Sequence, residues 1–344
     1  MKNLSSILWC ILFFLSACNF DNKNSSSSVY HNNANRTDTL SGGVKLIPIT
    51  TSKGVFNVWT KRVGNNPRIK VLLLHGGPGS THEYFECFDS YFPKAEIEYY
   101  YYDQLGSAYS DNPNDTSLWN LPRFVEEVET VRKALGLDSS NFFLLGHSWG
   151  GILATEYALK YQKNLKGLII SNMVPSIPEY VKYANEVLGP KLPKDVLASI
   201  RVFEAKGQYT HPEYLKLIND YYYPEHVLRM PPATWPDPVK RAFARMNYPL
   251  YLRMQGPSEF GIVGNAVLKN WDRKADLKNL TIPTLSIGGE FDTMDPKAME
   301  EVSKLVKDGQ FLYCPKGSHM SMYDDQYTYF TGLVKFIKGV DSRK

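Results

Sequence analysis

The apolar run Phe142-Phe143-Leu144-Leu145 leads straight into Gly146-His147-Ser148-Trp149-Gly150, and a helix-like stretch from Gly151 to Leu159 follows at once. Strand, Gly-x-Ser-x-Gly turn and helix in this order lift one hydroxyl out of a sharp turn at the end of a strand. The glycines give that turn its room. A serine hydroxyl is a weak nucleophile at neutral pH, so it needs a base for its proton and donors for the oxyanion it creates. The feature therefore asks for a sheet whose other strand ends carry an acid, a histidine and a donor loop. A glycine-rich turn without chemistry is the competing reading of these five residues alone.

Other apolar runs end in the same manner. Val71 to Leu74 ends at glycines, Ile97 to Tyr102 at Asp103, and Leu168 to Ile170 near Ser171-Asn172. Thr284 to Ile287 ends at Gly288-Gly289, and Gln310 to Tyr313 near Pro315. The runs are mostly continuous rather than alternating, which predicts a mainly parallel sheet covered on both faces. Phe124, Val125, Val128, Val131 and Leu135 recur at helical spacing, as do Phe330, Leu333, Val334 and Ile337. Strand–helix alternation predicts an α/β fold. Residues 175–267 differ, being helical, aromatic and proline-rich, with Tyr221-Tyr222-Tyr223, Pro231-Pro232 and Trp235. They read as a helical cap inserted into a core formed by residues 41–174 and 268–344.

The start of the chain stands outside this core. Lys2 precedes an apolar run from Leu4 to Leu15 that is too short to span a bilayer comfortably and suits a signal peptide over residues 1–17. Leu15-Ser16-Ala17-Cys18 resembles a bacterial lipobox, which makes Cys18 the expected lipidation site; an ordinary signal peptide with an incidental cysteine is the alternative. Residues 18–40 are rich in Asn and Ser and read as a flexible tether. Such a linker reaches about 25 Å, enough to hold an exported enzyme just off a membrane on its periplasmic or cell-surface side. Only Cys87 and Cys314 remain in the body, and the sequence does not say whether they pair. No Cys/His cluster has metal-ligand spacing, so no metal is expected. With 39 basic and 35 acidic residues, a net charge of +4 gives no reason to invoke nucleic acid.

Reactive groups of open α/β sheets gather at the carboxyl ends of strands. After the run at Thr284 comes Gly288-Gly289-Glu290-Phe291-Asp292, and after the run at Gln310 comes Pro315-Lys316-Gly317-Ser318-His319. The expected triad is Ser148 as nucleophile, His319 as general base and later acid, and Asp292 as the group that orients the imidazole. Asp295 competes with Asp292, but it directly precedes Pro296 and reads as a helix N-cap. His211 and His226 fall in the cap, His147 within the turn is expected to point away from the site, and His75 opens a glycine loop. That loop, His75-Gly76-Gly77-Pro78-Gly79, offers the Gly77 N–H as one oxyanion donor beside the Trp149 N–H. A plain strand-ending turn is the competing reading of the loop.

His-Gly-Gly-Pro-Gly, Gly-His-Ser-Trp-Gly-Gly, Gly-Gly-Glu-Phe-Asp and Gly-Ser-His, taken together, resemble the prolyl iminopeptidase family of α/β hydrolases. The resemblance runs from about residue 45 to the C-terminus. It implies the α/β-hydrolase fold, release of N-terminal residues, typically proline, from short peptides, and no cofactor. Asp103-Gln104-Leu105-Gly106-Ser107 resembles a family segment in which arginine is usual where Leu105 stands. Gly256-Pro257-Ser258-Glu259-Phe260 resembles a cap segment whose glutamate receives the substrate's amino terminus, which implies that role for Glu259. An ammonium leaving water needs an opposite charge. Some members carry a second glutamate where Thr293 stands, so one anchor is either missing here or supplied elsewhere, with Glu204 and Glu213 as candidates. An esterase, lactonase or amidase using the same triad, and a non-catalytic binding lipoprotein, are the alternative functions.

Overall fold

The computed structural model describes residues 29–34 and 36–343. The signal peptide, Cys18 and the first part of the expected tether lie outside the described residues. Eight strands form one sheet: β1 (Val44–Thr51), β2 (Gly54–Val63), β3 (Lys70–Leu74), β4 (Glu98–Asp103), β5 (Phe142–His147), β6 (Gly167–Ser171), β7 (Pro283–Gly289) and β8 (Asp308–Cys314). Their order is β1-β2-β4-β3-β5-β6-β7-β8. β1, β2 and β4 pair antiparallel, and the neighbours from β4 to β8 pair parallel. The β1–β2 hairpin is absent from the apolar runs because it alternates: Ile47, Ile49 and Val58 are buried while Leu46 and Val55 face solvent.

Period-two alternation divides the sheet between two apolar layers. Leu72, Leu74, Leu144, Leu168 and Ile170 pack against α1 (Leu121–Ala134) and α2 (Trp149–Tyr161). Val71, Leu73, Phe143, Leu145, Ile169 and Ile287 face the segment His82–Ser90 and the C-terminal helix. Between β6 and β7 run six helices: α3 (Ile177–Tyr183), α4 (Lys194–Ala205), α5 (Pro212–Leu217), α6 (Tyr223–His226), α7 (Asp237–Ala244) and α8 (Tyr248–Met254). They lie over the carboxyl ends of the strands. α9 (Pro296–Leu305) precedes β8, while α10 (Ser321–Asp324) and α11 (Gln326–Asp341) close the chain. Asp295 caps α9, its side chain accepting from the Lys297 N–H at 2.9 Å, so its carboxylate is already committed.

The cap is pinned to the core. Arg241 of α7 reaches Glu83 at 2.5 Å and Glu86 at 2.6 Å, and Arg245 reaches Glu83 at 2.9 Å. Asn247 donates its N–H to Gly79 O and its amide to Gly106 O, both at 2.8 Å. The later part of the segment expected as a flexible tether is also fixed. Tyr30 is buried, with its hydroxyl on Ile97 O at 3.1 Å, and Arg36 pairs with the buried Glu98 at 3.1 Å. A slot left by the side-chain-free Gly64 receives the Tyr30 ring, and Asn/Ser composition does not reveal such a slot. Cys87 and Cys314 are both free thiols.

Candidate active site

Ser148 stands between β5 and α2 at φ 56° and ψ −127°. A backbone in that region costs about 1–3 kcal/mol and persists only where its surroundings over-determine it. Here the Ser148 N–H donates to Ser171 O at 3.0 Å, and its carbonyl accepts from Gly151 N–H at 2.7 Å. The flanking glycines are required by closeness: a Cβ on Gly146 would overlap the Gly150 carbonyl, and one on Gly150 would overlap the Leu74 carbonyl.

His319 and Asp292 meet behind this turn. His319 Nδ1–H donates to Asp292 Oδ1 at 2.8 Å, leaving Nε2 for the cavity side. Asp292 is fully buried and held by three further donors. Asn172 Nδ2 reaches its Oδ2 at 2.8 Å, while the Thr293 hydroxyl and the Met294 N–H reach Oδ1 at 3.2 Å. Burial disfavours a charged imidazole at His319, but Asp292 and then Glu259 outweigh it and raise its pKa above 6.5.

Ser148 and His319 open into one cavity of about 190 Å³ under the cap. Among the described residues, no hydrogen bond joins the Ser148 hydroxyl to His319. Catalytic contacts of this kind often close only around a substrate. Gly77 also lines the cavity, at φ 105°, where a side chain would press on the Ser80 and Gly79 nitrogens. Trp149 opens α2, so its N–H is a helix-start donor without an intrahelical acceptor. Gln104 ties this loop to the turn: its amide donates to His75 O at 3.1 Å and its Oε1 accepts from Trp149 Nε1 at 2.8 Å.

The cap supplies the far wall. Tyr223, Phe243, Tyr248 and Tyr251 line it, and Glu259 is its one lining carboxylate among the described residues. Glu259 Oε1 accepts from the Tyr251 hydroxyl at 2.7 Å, while Oε2 is buried without a partner among the described residues. Burial raises the Glu259 carboxyl above its ordinary 4.5. A buried acceptor with no donor at a cavity wall is suited to a cationic group brought by a ligand.

A match to the family described as the alpha/beta hydrolase fold spans residues 70–326. Over 298 residues, 87% of this chain and 99% of the other, the sequence is 57% identical to a proline iminopeptidase of Elizabethkingia meningoseptica. It is 56% identical to a proline iminopeptidase of Flavobacterium johnsoniae over 299 residues, again 87% of this chain and 99% of the other. The crystal structure of a proline iminopeptidase from Mycobacterium smegmatis superposes with a TM-score of 0.76 at 28% identity, covering 87% of this chain and 98% of that one. The chain belongs to the proline iminopeptidase family. Its fold is that of the α/β hydrolases, and it is a hydrolase of aminopeptidase type.

Within that family frame, two expectations need correction. Neither Glu204 nor Glu213 supplies a second carboxylate to the cavity. Glu204 is turned to Arg201 at 2.5 Å and Glu213 is exposed, and neither is a lining residue. Among the described residues no second carboxylate lines the cavity, and the Thr293 hydroxyl instead reaches Asp292 Oδ1 at 3.2 Å. His147 does not point away from the site: the residue borders the cavity, and its ring lies 5.0 Å from the His319 ring. Leu105, where the family usually has arginine, is buried, with its N–H on Glu127 Oε1 at 2.9 Å.

Four contributors were not singled out from the sequence: Asn172, Tyr84, Gln104 and Tyr251. Asn172 had a usable signal, since it follows a strand end where such groups gather. Tyr251 sits on a cap helix whose packing partner is set only by the tertiary fold.

Proposed function

We propose that the protein is a serine exopeptidase that releases N-terminal residues, preferentially proline, from short peptides through an acyl-enzyme. One observation carries this reading. Ser148 and the Asp292-bound His319 share a small cavity whose single lining carboxylate among the described residues, Glu259, keeps one oxygen without a protein donor there. Ser148 Oγ attacks the first peptide carbonyl while His319 Nε2 takes its proton. Gly77 and Trp149 N–H groups receive the oxyanion. The C–N bond breaks, His319 returns the proton to the leaving amine, and the acyl group stays on Ser148. Water then attacks with His319 again as base, freeing the amino acid and the serine. Glu259 holds the substrate's amino terminus, and the aromatic wall packs its ring.

Proline amide, N-acetyl-proline amide and a simple ester separate the possibilities. Cleavage of the free-amine amide and near-silence on the acetylated one are expected. Ester hydrolysis that outruns the amide and ignores the amino group would overturn the peptidase.

We also propose export and lipid anchoring at Cys18, which would hold the enzyme at a bacterial membrane. Support comes from the leader sequence alone. Labelled fatty acid should enter the wild-type chain and not Cys18→Ala; equal labelling of both would end this proposal.

A further inference from the structure

We propose that Tyr84 and His147 are positioning residues that fix the spacing between the donor loop and His319. The inference rests on the triad and oxyanion roles given above. Three hydrogen bonds carry it. Gly76 N–H donates to the Tyr84 hydroxyl at 2.6 Å, that hydroxyl meets His147 Nδ1 at 3.0 Å, and His147 Nε2 meets the His319 carbonyl at 2.8 Å.

The direction of each bond is set by chemistry. A carbonyl oxygen only accepts, so His147 carries its proton on Nε2. Nδ1 of the neutral ring must then accept, and the Tyr84 hydroxyl donates to it while accepting from Gly76. Burial, together with the neighbouring His319, pushes His147 down to about 3, so the ring stays neutral while His319 gains and loses its proton. Both nitrogens are committed, which removes His147 as a second base despite its place in the cavity wall.

The chain of bonds joins parts that must act together. Gly76 adjoins Gly77 and presses on the turn, where a Cβ on Gly76 would come 3.0 Å from Ser148 Cβ. On the other side the His319 N–H donates to His226 O at 2.9 Å, so the His319 backbone is gripped by the cap and by the turn at once. Tyr84 stacks edge-on to His147 at 5.3 Å and lies 4.5 Å from Phe85, which leaves it little freedom. A shift of about 1 Å between donors and base can cost about a hundredfold in rate.

The test compares full-length Tyr84→Phe, His147→Leu and His147→Gln with Ser148→Ala as the control on the underlying reading. Steady-state kinetics on proline amide, labelling rate by a fluorophosphonate and the melting temperature are read for each. Tyr84→Phe, isosteric but without the hydroxyl, is expected to lower kcat at least about tenfold with KM within about twofold and a near-native melt. His147→Leu should do the same or worse. His147→Gln, whose amide N–H reaches the His319 carbonyl, should recover part of kcat. Wild-type kcat in Tyr84→Phe overturns the proposal, as does a rise in KM alone, which would make the pair a binding wall. Turnover surviving in Ser148→Ala would instead sink the triad reading and is recognisable as such.

Discussion

The core wall of the cavity and the cap wall are held in different ways. On the core side, Asp292 takes four donors, His319 is bound through ring and backbone, and the donor loop is tied to the turn through Gln104 and Tyr84. On the cap side, Glu259 has one donor from Tyr251 and one buried oxygen with none. A saturated wall is pre-arranged for charge that develops during reaction. An unsaturated one is arranged for charge that arrives with a ligand. The contrast is what supports the proposal of chemistry on the first wall and recognition on the second.

Removing the nucleophile should break the core side outright. Ser148→Ala is expected to lose about 10⁴-fold or more in turnover while retaining the native melt and substrate binding. Binding measured by calorimetry with proline amide separates the walls, since Glu259 is intact. Loss of binding alongside turnover would show that recognition is not confined to the cap.

Glu259→Gln tests the opposite wall. Breaking a desolvated charge pair by truncating one partner costs about 2–5 kcal/mol, or roughly 30- to 5,000-fold in kcat/KM on free-amine substrates. Esters without an amino group should be little affected. The same variant should alter the pH profile. His319 acts as base only when neutral, and its raised pKa places the acid limb of kcat/KM above 6.5. Glu259 is one of the charges raising it, so Glu259→Gln should move that limb to lower pH. An unmoved limb would detach the two walls electrostatically.

Asn172 probes how far the core wall depends on its outer support. Asn172→Leu removes a donor from a buried carboxylate, a loss of about 1.5–3 kcal/mol, or roughly 10- to 100-fold in kcat, with KM held. A change in KM instead would place Asn172 among the recognition groups.

The two walls also differ in how legible they are. Strand ends are readable because continuous apolar runs stop at Gly and Asp, and the carboxyl-end rule then points to Asp292 and His319. The supports are harder because they come from distant sequence: Asn172 reaches Asp292 across 120 positions, and Tyr84 reaches His147 across 63. His147 has a local signal all the same. Alternation from Phe143 and Leu145 puts it on the sheet face covered by the segment His82–Ser90, which carries Tyr84. On the cap side, Glu259 is singled out by resemblance, whereas its free oxygen and its tie to Tyr251 depend on helix packing that no run of residues announces. The β1–β2 hairpin is hidden for a plainer reason, its apolar residues appearing only every second position.

Stability gives the smallest and most selective test. Both walls oppose folding, one through backbone strain and the other through an unpaired carboxylate. Ser148→Gly relieves a positive φ and should stabilise by about 1 kcal/mol, after the glycine's greater unfolded-state entropy is set against the strain, at any pH where the protein is folded. Glu259→Gln should stabilise only over part of the range. The folded carboxyl is raised above its unfolded value of 4.5, so its contribution is fully present below 4.5 and is lost as pH rises through the folded value. Above that window the buried charge destabilises the wild type, and the variant should melt higher; below pH 4.5 the two should converge. Thermal melts of both variants across this window read the difference directly. A gain from Glu259→Gln that is constant with pH would mean that Glu259 titrates alike in the folded and unfolded chain, against its raised carboxyl, whereas a gain that keeps growing across the whole range would mean that Glu259 stays uncharged in the fold, and the cap wall would then lose the anion on which recognition of an amino terminus depends.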